Sequence, residues 1–186
     1  MIEQPILKTP RLRLRPIKLS DASAIQKAAS ARMIADTMIS LQHPYPAGEA
    51  ERYIARQQAE QKTGRSVTFT IEQLAEGWFC GLVELRDIDR EHSQGELSFW
   101  LAVEVWGRGY MSDVVQAVVR YGFESFGLNR LYAYHMTRNP ASGSVLEKNG
   151  FKQEGLLRQR VRKWGQFEDV ALWAILRQEW QEALYK

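Results

Sequence analysis

Between residues 95 and 137 the spacing of apolar side chains changes period twice, and few architectures accommodate that within so short a span. Gly95–Val105 alternates as a strand, with Leu97, Phe99, Leu101 and Val103 on one face and Glu96, Ser98, Trp100 and Ala102 on the other. From Ser112 the period becomes helical: Val115, Val118, Val119, Gly122 and Phe126 fall on one stripe. Gly127 ends that helix, and Leu131–Thr137 alternates again. Only a crossover lets consecutive strands run parallel, so this β-α-β step predicts one parallel pair.

The rest of the chain fills in around that step. Arg11–Arg15 alternates strictly and predicts a first strand ending near Pro16. Ser20 and Asp21 are N-cap candidates for a helix through about Ala31. Leu41–Gly48 carries Pro44 and Pro46 and reads as a loop, followed by a helix from Glu49 to about Lys62. Val67–Gln73, Phe79–Asp87 and Gly95–Val105, joined by short polar connections, form an antiparallel meander. Pro140 opens a short helix through Lys148, stopped by Asn149-Gly150. Two last strands, Lys152–Arg162 and Glu168–Leu176, flank the turn Trp164-Gly165-Gln166. The order β-α-α-β-β-β-α-β-α-β-β is a mixed α/β (α+β) layer fold. We expect a mostly antiparallel central sheet of about seven strands, helices on both faces, and a single domain over 1–186.

Composition narrows the class of function. A chain of 186 residues, 45% hydrophobic and 25% charged, can bury a core without staples. Cys80 is alone, so no internal disulfide forms. The leading Met1–Ile6 lacks the pattern of a signal peptide, and the longest apolar stretch, Val170–Leu176, is too short for a membrane span. A cytoplasmic location without membrane contact is expected. The net charge of +3 is modest and scattered. Its densest run is Arg158, Arg160, Arg162 and Lys163, where strand alternation would align the arginines on one face. That face is solvated or edge-protecting, or it meets RNA, an acidic substrate or a phosphate; direct nucleic-acid binding is not expected, because no broad basic stripe with interleaved aromatics accompanies it. His43, His92 and His135 have no metal-ligand spacing.

The segment Trp106-Gly107-Arg108-Gly109-Tyr110-Met111 joins the strand to the helix. Glycines let backbone approach a ligand, and a helix start offers unpaired N–H groups at the positive end of its dipole. This is either a tight turn or an anion site suited to a pyrophosphate, with Arg108 adding charge. The P-loop pattern is absent, since no Gly-Lys-Ser/Thr follows. The dinucleotide fingerprint is absent too, lacking its third glycine and its βαβ context.

Six short segments share an order and spacing that resolve the choice. They are Thr9–Arg15, Gly95–Leu101, Trp106–Tyr110, Asn139–Ser142, Leu146–Phe151 and Glu168–Trp173. Together they resemble the GNAT superfamily of N-acetyltransferases, and closely its RimJ/RimL-like branch. The resemblance implies the GNAT fold and acetyl-CoA as co-substrate, with no metal. It assigns Trp106, Gly107, Arg108, Gly109, Tyr110, Met111 and Ser112 to the pyrophosphate, and Leu101, Val103 and Asn139 to the pantetheine arm. Met111 departs from the Gly or Ala usual there, so its side chain must point away from the phosphates.

Amide formation needs an uncharged amine, an oxyanion donor and a proton for the leaving thiolate. On the resemblance Glu96 is the general base, with Glu168 and Asp169 as rivals on the last hairpin. The tyrosine that many relatives use as acid is replaced by Leu146, and Ser142 falls where the branch places a serine near the sulfur. Cys80, mid-strand with no nearby histidine pattern, is expected to be a core residue. The acceptor implied is a primary amine, foremost a protein N-terminal α-amine such as that of a ribosomal protein. A small-molecule amine, or a non-catalytic acyl-CoA-binding domain, stays open, as does the choice of monomer or homodimer.

Overall fold

The computed structural model describes residues 4–185; Met1–Glu3, part of the stretch read for targeting, lie outside the described residues. One sheet of eight strands runs through it in the order β1-β2-β3-β4-β5-β6-β8-β7. The strands are β1 (Leu7–Lys8), β2 (Leu12–Pro16), β3 (Val67–Gln73), β4 (Phe79–Asp89), β5 (Gln94–Leu101), β6 (Arg130–Met136), β7 (Lys152–Lys163) and β8 (Gln166–Leu176). The helices are α1 (Ala22–Ala29), α2 (Arg32–Thr37), α3 (Glu49–Lys62), α4 (Tyr110–Glu124), α5 (Pro140–Lys148) and α6 (Arg177–Leu184). Among the described residues only β5 and β6 pair in parallel, through the crossover α4, as the periodicity requires.

Alternation along the strands divides the core between two faces. Val83, Leu85, Leu97 and Leu101 pack with Val114, Val115, Val118 and Val119 of α4 and Leu146 of α5. On the opposite face Leu82 packs with Ile25 of α1 and Ile54 of α3, with Trp100 against them. Each fully buried Val or Leu contributes about 1.5–3 kcal/mol, so the α4 stripe by itself holds the crossover in place. The entry to α1 is held differently. Asp21 accepts from Arg15 Nη2 at 2.6 Å, from the Lys18 N–H at 2.9 Å and from the Thr70 hydroxyl at 2.9 Å, while Arg15 Nε also donates to Glu72 at 2.6 Å. Burial alone would raise the Asp21 carboxyl; those hydrogen bonds and the Arg15 charge outweigh it and hold it below its ordinary value.

Several boundaries differ from expectation. The strand read as Gly95–Val105 stops at Leu101, and Val103–Val105 winds into a 3-10 turn, with the Val105 and Trp106 N–H groups returning to the Ala102 and Val103 carbonyls. Alternation persists by chance through a segment whose hydrogen bonds are local. Helix α4 begins two residues before Ser112, because Gly109 takes φ +73 and turns the chain into it. Asp21 is not a forward cap of α1: its carboxylate is spent on Arg15, Thr70 and the Lys18 amide. The eighth strand β1 and the helices α2 and α6 went unforeseen, being short segments without a readable period. Strict alternation of Arg158, Arg160 and Arg162 is interrupted by a bulge between Leu157 and Val161, where Gln159 has φ +52. Among the described residues no helix is long and apolar enough to cross a membrane.

Candidate active site

The parallel ladder between β5 and β6 covers only Gln94–Glu96 against Arg130–Tyr132. Beyond it each strand stays with its antiparallel neighbour, β5 with β4 as far as Leu101 and β6 with β8 as far as Met136. The two strands part, and Leu97–Leu101 presents one backbone edge without a partner in β6. At the open end lies the glycine turn. Gly107 and Gly109 have φ +74 and +73, and a Cβ built at Gly107 meets nothing within 4 Å. No side chain caps α4, so its first N–H groups stay available. A strand edge leading to an uncapped, glycine-lined helix start fits a substrate carrying a pantetheine arm and a pyrophosphate.

Around this turn the expected residues divide their tasks. The Arg108 side chain is exposed, donating at 3.2 Å to the Glu104 carbonyl. Tyr110 and Met111 are buried in the main core, so Met111 does point away from the helix start, leaving its backbone N–H and that of Ser112 on the turn. Trp106 donates its indole N–H to the Leu101 carbonyl at 2.8 Å. The Val103 carbonyl accepts from the Trp106 N–H at 3.1 Å. Both carbonyls thus have internal partners, and a pantetheine arm must use N–H groups on this edge or displace the indole.

Arg11, from the turn before β2, was not foreseen as part of this site. It donates to Asp113 Oδ2 at 2.7 Å and to the Arg108 carbonyl at 2.8 Å, and lies 4.8 Å from the Tyr110 ring centre. It clamps the glycine turn onto the first turn of α4. Nothing in the alternation of Arg11–Arg15 distinguishes it, because its partners lie about a hundred residues away.

On the far side of the gap, Asn139 precedes α5 and donates through Nδ2 to Ser142 Oγ at 2.9 Å. The hydroxyl oxygen is thereby occupied as acceptor, which leaves the Ser142 O–H free to donate. That is the arrangement a proton donor to a thiolate needs.

The face of β4 and β5 turned away from α4 floors a cavity of about 570 Å³, walled by α1, α3 and the loop 38–46. Trp100 and Ser98 line it, as does Glu84, which stands opposite Ser98 in the ladder. Glu96 does not line it. Arg86, directly across the ladder, holds Glu96 through Nη2 at 2.5 Å and Nε at 3.1 Å and itself faces the cavity. The rival carboxylates are also engaged: Glu168 pairs with Arg138 at 2.9 Å, and Asp169 accepts the Gln159 N–H at 2.7 Å. Glu84 is 8% exposed and has no ion-pair partner among the described residues. Burial pushes its carboxyl up to about 7. The sequence signal for Glu84 is a single acid within the apolar run Cys80–Leu85, which alternation alone reads as a strand face.

Lys163 is buried at the tip of the last hairpin and donates to the Met38 and Leu41 carbonyls, tying that tip to the cavity wall. Trp164 Nε1 donates to Asp36 at 2.7 Å beside it. His135 is a core residue, its Nδ1 at 2.9 Å from the Met136 carbonyl and its Nε2 accepting from Trp173. Cys80 is fully buried, and burial pushes its thiol up, as a core cysteine requires. Among the described residues no cluster of His, Cys, Asp and Glu could hold a metal.

Comparison with known proteins adds an independent line. Residues 11–152 match the family model described as acetyltransferase (GNAT) domain. The uncharacterized N-acetyltransferase YoaA of Bacillus subtilis (strain 168) is 31% identical over 173 residues, 93% of this chain and 97% of that protein. Among solved structures, RimL, the ribosomal L7/L12 alpha-N-protein acetyltransferase in complex with coenzyme A, superposes with TM-score 0.86 at 19% identity over 92% of this chain and 98% of its own. The spermidine N-acetyltransferase from Vibrio cholerae, in complex with CoA and spermine, gives 0.83 at 24% over 93% and 99%. At these identities the likeness to both structures is one of fold.

Proposed function

We propose that this chain, which belongs to the acetyltransferase (GNAT) domain family and takes acetyl-CoA as its acyl-donating substrate, delivers the acetyl group to a protein N-terminal α-amine by direct attack in a ternary complex. The whole chain acts as one domain in this reading. Trp106–Ser112 hold the pyrophosphate, Leu101, Val103 and Asn139 hold the pantetheine arm, and Ser142 returns a proton to the thiolate. Glu96 serves from beside the cavity as the partner of Arg86.

The observation that carries the choice of acceptor is the charge of the cavity wall. Glu49, Glu60, Glu84 and Asp87 share it with Arg56, Arg65 and Arg86, and Glu49 and Glu60 are already paired with arginines. A wall with four acids against three arginines, in which Glu84 is the buried carboxylate without an ion-pair partner among the described residues and Asp87 is exposed, suits a single ammonium on an otherwise neutral chain. A polyamine, with several cations, would meet the arginines as well. The N-terminal amine also has the lower proton affinity, about 8 against about 10.4 for lysine, so it deprotonates more readily at neutral pH.

The test is thiol release from acetyl-CoA with peptides of one sequence, either free or blocked at the N-terminus, beside spermidine and free amino acids. Turnover on the free peptides alone is expected. Turnover on spermidine and none on peptides overturns the acceptor class. Saturable coenzyme A binding with no turnover on any amine points to a binding module.

A further inference from the structure

We propose that Glu84 on β4, not Glu96 on β5, receives the ammonium group of the acceptor in the cavity and takes its proton. The proposal rests on the amine-acetylation reading above and assigns the residue at which that reaction begins.

The geometry separates two carboxylates that lie on one sheet face, each opposed in the ladder by a β5 or β4 partner. Glu96 faces Arg86, and the guanidinium fills one of its oxygens with two hydrogen bonds and stands between it and the cavity. A carboxylate so paired offers an incoming cation little net attraction. Glu84 faces Ser98, a neutral hydroxyl residue, and lines the cavity directly. Ser98 lies on the strand edge beyond the point where β5 parts from β6, two residues past the last paired residue, Glu96. The floor at Glu84 is therefore next to the gap assigned to the thioester arm.

The surroundings of Glu84 leave it as the buried carboxylate of the cavity without an ion-pair partner among the described residues. On its own strand stand Arg86, engaged by Glu96, and Asp87, which is exposed. From α3 come Tyr53, whose hydroxyl burial makes still harder to ionise, and Arg56, bound to Glu49 at 2.7 Å. Glu60 is held by Arg65 at 2.7 Å, and Tyr45 reaches the rim from the loop. Gln57 has its amide oxygen occupied by the Thr68 hydroxyl at 2.9 Å and turns its amide N–H to Glu84, which favours the carboxylate but does not offset burial. Burial raises the Glu84 carboxyl to about 7, near the value of an N-terminal amine, so a proton moves between them at small cost.

The step balances as follows. The ammonium gives one proton to the Glu84 carboxylate, and the freed nitrogen lone pair attacks the thioester carbonyl carbon. A C–N bond forms and the C–S bond breaks. The nitrogen passes its second proton to Ser142 as the Ser142 hydroxyl gives its own to the departing thiolate, so the serine is unchanged, and Glu84 releases its proton to solvent when product leaves.

The experiment compares wild type, Glu84→Gln, Glu84→Asp and Glu96→Gln with acetyl-CoA and a peptide bearing a free N-terminal alanine, from pH 6 to 9. Coenzyme A affinity, measured by calorimetry, reports folding. We expect Glu84→Gln to keep that affinity, to lose roughly 100-fold or more in kcat, and to lose the acidic limb near pH 7. Glu84→Asp recovers part of the rate, and Glu96→Gln keeps the limb. A Glu84→Gln enzyme within about threefold of wild type, with the limb intact, overturns the assignment while leaving amine acetylation standing. A limb lost in Glu96→Gln instead does the same. A wild type that binds coenzyme A and acetylates no amine overturns both readings.

Discussion

Lys163 and Leu41 meet behind the wall of the cavity, the ammonium donating to the Leu41 carbonyl at 2.5 Å and to the neighbouring Met38 carbonyl at 2.8 Å. Burial, with Arg138 nearby, pulls the proton affinity of Lys163 down, yet two carbonyl acceptors keep the charge in place. The pair ties the last hairpin to the loop that walls the cavity. Arg138 reinforces the tie by bridging Asp36 at 3.0 Å and Glu168 at 2.9 Å.

Removing that tie should loosen the acceptor side and spare the donor side. Lys163→Met leaves two half-buried carbonyls without their donor, a penalty of at most about 1–3 kcal/mol each, smaller where water reaches them. We expect KM for the peptide acceptor to rise roughly tenfold with KM for acetyl-CoA near that of wild type. Steady-state kinetics with both substrates varied reads the split; equal effects on both would show that the hairpin tip supports the fold as a whole.

Gly109 tests the donor side. Its φ of +73 costs any side chain about 1–2 kcal/mol, and a β-branched one more. Gly109→Val should weaken coenzyme A binding at least tenfold by calorimetry while far-ultraviolet circular dichroism stays native. Unchanged affinity would place the pyrophosphate elsewhere.

Asp21 tests the electrostatic clamp under α1. Its carboxyl lies below its ordinary value in the folded chain, so its stabilisation is present above the ordinary carboxylate range and is lost as pH falls through the folded value. Arg15→Met leaves Asp21 and Glu72 buried without this cation and should destabilise by about 3–5 kcal/mol at pH 7. Urea unfolding at pH 7 and pH 3 should show the deficit shrinking in acid.

Glu84 carries the opposite sign. Its carboxyl is raised to about 7, so the folded chain binds the proton more tightly than the unfolded chain. Stability from this group is lost as pH rises from the ordinary carboxylate range through about 7, by about 3 kcal/mol once both states are ionised. Glu84→Gln removes that loss: its Tm should exceed that of wild type at pH 8 and converge with it below pH 5. An equal Tm at pH 8 would mean that the carboxylate is well solvated.

Local order was largely legible without the structure. The period change from Gly95–Val105 to the α4 stripe predicted the parallel step, and Pro140 with Asn149-Gly150 bounded α5 correctly. Such signals are written in neighbouring residues, as side-chain period and glycine or proline dihedrals. The strand end at Leu101 was misplaced because Val103 and Val105 continue the alternation, while the Trp106 indole and backbone turn the chain aside.

By itself, then, the sequence determined the family, the element order and the glycine-lined helix start, because each is a local pattern or a spacing of patterns. Only the tertiary structure decided which carboxylates are occupied. Arg86 across the ladder engages Glu96, Arg138 engages Glu168, and Glu84 is left facing the cavity. A charge is satisfied or stranded by what stands within about 4 Å of it in space, and residues that distant along the chain leave no period to read.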